Sequence, residues 1–182
     1  MKKGQIWVET VIYTLIGLSL IALVLTIVTP KINEAKDRAV IEQSIKSLKK
    51  ISLKIEEVSQ APGNVRNVEF SMKRGSLIFD MDNDLIFFEI EDSSTIYSKP
   101  GAEIPIIGKI NVITTEGLKE HKISLKLNVR QDLQFDEGGL LLSGGKKTIN
   151  YAKTPYKFII KNEGIDPTCT VSCKLRIVFS IG

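Results

Sequence analysis

The chain opens on an unbroken apolar segment, continues in a helical stripe and ends in short alternating runs. Between Gln5 and Val28 the only charged residue is Glu9, and Thr10–Pro30 is twenty-one uncharged residues in a row. At the helical rise, Gln5–Val28 extends about 36 Å, enough to cross a hydrocarbon core of about 30 Å. A segment that long and apolar predicts a transmembrane helix over residues 5–29. Pro30 is expected to interrupt this helix and kink it at the membrane exit. A second, amphipathic stalk helix is expected over 30–62. In it Ile41, Ile45, Leu48, Ile51, Ile55 and Val58 follow steps of three and four, which puts them on one face. Pro62-Gly63 ends it. The stripe has two uses open to it, packing on the chain's own head or pairing with other copies as a coiled coil. Two or so heptads are few for a free coil, which favours packing on the head.

After Asn64 the period changes to two. Val68, Phe70 and Met72 alternate with polar residues, as do Ile123, Leu125, Leu127 and Val129. Cys173, Leu175, Ile177, Phe179 and Ile181 do the same at the chain end. Arg74-Gly75, Asp82-Asn83, Gly138-Gly139 and Gly144-Gly145 punctuate these runs as turns. About eight short strands at that spacing predict an antiparallel β-sandwich head over residues 63–182. The expected fold class is therefore α+β: a long N-terminal transmembrane and amphipathic helix followed by an antiparallel sandwich.

Composition changes little. The 182 residues are 43% hydrophobic and 25% charged, with a formal net charge of +4. That charge is scattered, with no basic face or groove of interleaved aromatics, so no nucleic-acid partner is expected.

The N-terminus carries the most specific chemistry. A cleaved secretory signal has a basic start, a short apolar region and then a small-residue cleavage site. Here Lys2-Lys3-Gly4 precedes an apolar run that is too long, and Thr26-Ile27-Val28-Thr29-Pro30 offers no such site. The hydrophobic helix is therefore expected to be retained. Lys2-Lys3-Gly4 followed by Gln5-Ile6-Trp7-Val8-Glu9 closely resembles the class III signal of type IV prepilins, archaeal members above all. Trp7 and Tyr13 stand where the archaeal pattern has serine and leucine. The resemblance covers about thirty residues. It implies a leader over residues 1–4, cut on the cytoplasmic side after Gly4 to leave Gln5 first, and an assembly role for Glu9, fifth in the mature chain. A carboxylate in an apolar span usually marks function or a partner, and the new amine on Gln5 is the obvious cation; the other reading sets Glu9 at headgroup depth. Lys31, Lys36 and Arg38 follow the span closely, so Lys/Arg counting does not orient it. The motif does, placing the N-terminus inside and the head outside.

By the same resemblance the chain is expected to be a subunit, major or minor, of a type IV pilus-like surface filament. Its implied partners are a prepilin peptidase, other pilin-like subunits, an assembly ATPase, a membrane platform protein and the membrane, with adhesion as a role for the head. The alternative is a non-filamentous, membrane-anchored β-domain binding protein similar to archaellum stator components.

Cys169 and Cys173 are the only cysteines. Outside the cell such a near-neighbour pair reads as a local disulfide, with free thiols as the alternative. The bridge needs a bend within 169–173, and Asp166-Pro167-Thr168 supplies turn chemistry upstream. No metal site is expected from two cysteines and the distant His121. Asp80-Met81-Asp82-Asn83-Asp84, with Glu91 beyond, matches the acidic positions of a helix-loop-helix calcium site, but Leu85 replaces the turn glycine. An acidic hairpin tip is the expectation there. Gly139–Lys147 fails phosphate-loop spacing, and His121 heads a strand without a serine or cysteine motif. No catalytic residues and no cofactor are expected.

Overall fold

The computed structural model describes residues 3–118, 120–170 and 173–182, with side chains from Trp7 onward. Among the described residues one helix, α1 (Lys3–Val58), is followed by eleven strands. They are β1 (Val65–Phe70), β2 (Ser76–Asp80), β3 (Leu85–Ser93), β4 (Glu103–Ile107), β5 (Ile110–Thr115) and β6 (His121–Asn128). After these come β7 (Asp132–Glu137), β8 (Leu140–Leu142), β9 (Lys146–Asn150), β10 (Tyr156–Ile165) and β11 (Leu175–Ile181). The architecture is α+β, with one long apolar N-terminal helix and mostly antiparallel sheets.

The expected interruption at Pro30 does not occur: α1 passes through it, so 5–29 and 30–62 are one helix, ending at Val58. Proline removes a single N–H and leaves the carbonyl of Thr26 without its usual partner. The flanking turns are intact, and the hydroxyls of Thr26 and Thr29 bond back to Ala22 (2.9 Å) and Leu25 (2.7 Å). Cooperative propagation on both sides carries the one missing bond.

The strands form a five-stranded sheet, β1-β10-β11-β7-β8, and a six-stranded sheet, β4-β5-β6-β3-β2-β9. Among these strands every pairing is antiparallel except β7 with β11, which are parallel. That corrects the all-antiparallel expectation: the last strand enters between β10 and β7, and its direction is fixed by its antiparallel hairpin with β10. The short β8 and β9 were not separately legible in the alternating pattern.

Register explains the core. In the six-stranded sheet Val112, Leu125, Phe88, Leu77 and Ile149 lie opposite one another in sequence across five strands, and all are buried. In the other sheet Ile160, Phe179 and Phe135 form the equivalent row. Phe79 of β2 joins the two, with ring centroids 5.1 Å from Phe135, 5.7 Å from Phe158 and 5.0 Å from Phe179. The six stripe residues from Ile41 to Val58 are buried in the same cluster. The stripe is thus consumed by the chain's own head. Cys173, expected in the last alternating run, lies before β11 and is exposed.

Candidate functional site

From Trp7 to Ile32 the helix stands clear of the core. Trp7, Leu18, Leu25 and Ile32 are all exposed. Among the described residues this is one helix long and apolar enough to cross a membrane. Its polar groups suit that environment. Thr14 donates to the carbonyl of Val11 (2.8 Å) and Ser19 to that of Leu15 (2.8 Å). A hydroxyl bonded back into its own helix presents no unsatisfied donor to lipid. Glu9 is exposed, one turn beyond Gln5 on the same side of the helix. Lys3, Gly4 and Gln5 lie on helical backbone, while Lys2 falls outside the described residues.

The head takes hold of the helix at Asp37, which is only 5% exposed. One carboxylate oxygen accepts from Arg74 Nη1 at 2.7 Å and the other from the Ser94 amide at 2.7 Å. Arg74 Nη2 donates in turn to the carbonyls of Glu91 (2.8 Å) and Asp92. Below the clamp Thr95 Oγ1 donates to the Glu34 carbonyl at 3.5 Å. Two local features set this up. The β3–β6 register shifts between Ile90 and Ser93, with Asp92 at φ 56°, a bulge that turns the strand end toward the helix. Gly75 has φ +87°, and a Cβ there would lie 2.3 Å from the Glu89 carbonyl, so only glycine fits beside Arg74.

The far end of the helix is held differently. Asn162, fully buried in β10, donates from Nδ2 to the carbonyls of Val58 and Ala61, both at 3.0 Å. Its Oδ1 accepts from the Gly164 amide at 2.8 Å. A helix end leaves carbonyls without partners, and this side chain satisfies one of them from the interior of a strand. Nearby, Lys109 pairs with Glu56 at 2.9 Å and Gln131 donates to Ser59 at 3.0 Å.

The acidic tip 80–84 is spent on structure, and a strand, β3, follows it. Asp80 accepts from the Asn83 amide (3.2 Å) and pairs with Lys146 (3.1 Å). Burial raises the Asp80 pKa, but the bonds from Asn83 and Lys146 outweigh it and hold the group below its ordinary value. Asp82 accepts from the Gly145 amide (2.9 Å) and Asp84 from the Leu133 amide (2.9 Å), with Lys174 on the other Asp84 oxygen. Cys169 and Cys173 form a disulfide with Cα atoms 5.7 Å apart, within the span a bridge requires. Asp166 prepares the bend: its side chain accepts from the Thr168 amide at 2.8 Å and its carbonyl from the Cys169 amide at 3.0 Å.

The structure separates the sequence-derived residues into two sets. Glu9 and Pro30 lie on the free helix, and the disulfide sits at the opposite end of the head. The Asp37–Arg74 clamp and the Asn162 cap were missed, although both left a signal. Asp37 sits four residues before Ile41, in phase with the apolar stripe, and Asn162 two residues after Ile160, in phase with its strand. A polar residue at an apolar phase position marks a buried partner.

The chain matches no protein-family model, no curated protein and no solved structure.

Proposed function

We propose that this chain is a subunit, major or minor, of a type IV pilus-like surface filament, anchored by α1 before assembly and carrying its β head outside the cell. The single observation that carries this reading is the form of α1. One uninterrupted helix starts at the Lys3-Gly4-Gln5 segment, holds Glu9 in an apolar stretch, and continues into the core of the head. A helix built that way transmits the position of its free half directly to the head, which suits a subunit whose free halves pack together. The two facing sheets, joined through Phe79, are read as a sandwich. In this mechanism a prepilin peptidase cuts after Gly4, and the Gln5 amine meets a Glu9 carboxylate of its own or a neighbouring copy. The free helix then exchanges lipid for other helices, driven by an assembly ATPase on a platform protein.

N-terminal sequencing of the chain from native membranes, with electron microscopy of sheared surface material, tests this. The expected result is a mature chain starting at Gln5 and found in filaments. Only Met1-starting protein, with no filaments, overturns it.

A further inference from the structure

We propose that the pole of the head nearest the free helix rests on the lipid surface before assembly, with Leu118, Ile96 and Tyr151 entering the headgroup layer. This rests on the reading of Trp7–Ile32 as a membrane anchor and adds a second, peripheral contact.

The strand order fixes which loops face which way. Lys109, just before β5, pairs with Glu56 near the C-terminal end of the helix. The other end of the β5–β6 hairpin, at His121, pairs in register with Ser93, next to Ser94 on Asp37. The hairpin therefore runs along the helix, and its tip, which carries Leu118, points toward the N-terminal half. Ile96 follows Thr95, the residue bonded to the Glu34 carbonyl. Tyr151 sits at the same end, its amide bonded to the Gly75 carbonyl at 3.2 Å beside Arg74.

Height then decides the environment. Thr10–Pro30 is about 31 Å of helix, matching a hydrocarbon core of about 30 Å. Glu34 lies about 6 Å beyond Pro30 along the axis, and Asp37 about 10 Å. The headgroup region adds about 5–8 Å on each side. Loops fastened at Glu34 and Asp37 thus sit within or against it, held there by a helix that does not break at Pro30. Leu118 is the most exposed large apolar side chain among the described residues at 107%, with Ile96 at 53% and Tyr151 at 60%. Tyrosine is a residue that membrane interfaces favour. Ionic groups at this pole are of both signs, Lys73 and Arg74 against Glu116 and Glu120, so the contact fitted is apolar insertion into a zwitterionic surface.

The test uses the full chain, disulfide intact, in phosphatidylcholine nanodiscs. Nitroxide labels are placed one at a time through Leu118→Cys, Leu18→Cys and, on the opposite pole, Ser143→Cys. Collision rates with oxygen and with a water-soluble nickel complex are compared. The label at 118 is expected to show at least a threefold lower nickel-to-oxygen ratio than the label at 143, and a higher one than the label at 18. A label at 118 as open to nickel as that at 143, with 18 still protected, overturns this inference and leaves the anchor standing. A label at 18 open to nickel overturns the anchor and this inference with it. Adding Leu118→Asp to the chain labelled at Ile96→Cys is expected to raise nickel access there at least twofold. No change at position 96 means the two residues do not share a surface.

Discussion

The two halves of α1 have the same backbone and opposite side-chain logic. From Thr10 to Pro30 the helix is uncharged around its whole circumference and none of it enters the core. From Asp37 on, one stripe is buried and the rest is ionic, with pairs such as Arg38–Glu42 and Lys54–Glu57 on the solvent side. A helix apolar all round needs an apolar environment, whereas a striped one needs only a partner surface, and the chain supplies that surface itself. The first half is therefore free to change partners, and the second half is not.

Truncating one residue in each half gives the largest contrast. Leu48→Ala removes a fully buried side chain from the common core, and an unfolding midpoint in detergent should show a loss of about 2–5 kcal/mol. Leu18→Ala should leave the same head transition within about 0.5 kcal/mol, because nothing of the head touches it. Equal effects at the two positions would mean that the free half also supports the head, and the division at Asn33 would fail.

This division was partly legible in the residues. Period alone separated the all-round apolar run from the stripe, because 3.6-residue spacing is a property of a single element. The boundary was misplaced at Pro30, since a proline signals a lost hydrogen bond and says nothing about whether the neighbouring turns can carry the loss. Alternation located β1, β6 and β11, through the runs at Val68, Ile123 and Leu175. It could not give the parallel pairing of β7 with β11, which depends on contacts between residues such as Leu133 and Ile177 far apart in the chain. The clamp at Asp37 is similarly non-local. Its phase in the stripe hinted at a partner, but Arg74 and Ser94 become partners only once two loops fold back to the helix.

Asp37→Ala probes the seam between the halves and should act more locally. It deprives the Ser94 amide and Arg74 of an acceptor at a nearly buried position. Because Arg74 is itself partly exposed, the expected loss is about 1–3 kcal/mol. Hydrogen exchange should rise at Ser94 and Thr95 while the β10–β11 amides stay protected. Uniform acceleration across both sheets would show that the clamp supports the entire fold and is not a local fastening.

Acidification should separate the halves with the smallest effect. Asp80, held below its ordinary value by Asn83 and Lys146 against the pull of burial, stabilises the head while ionised. A depressed carboxylate contributes fully above its unfolded value, near pH 4, and loses that contribution as pH falls through the lower folded value. Glu103 has the same sign, through its bond from Asn111. Lys122 and Lys174, raised by Glu89 and Asp84, act oppositely: their contribution is complete below about pH 10 and fades only above it. The head should therefore hold a plateau between about pH 5 and pH 9, with its thermal midpoint falling by about 2–4 °C per kcal/mol lost below pH 4. Helical signal from the free half, whose one carboxylate is Glu9, should persist through that acid limb. Asp80→Asn should flatten the acid limb in a calorimetric pH series. If that variant keeps the slope of the parent chain, the acid sensitivity belongs to other carboxylates, and the tip at 80–84 is held by its backbone turn rather than by its charge.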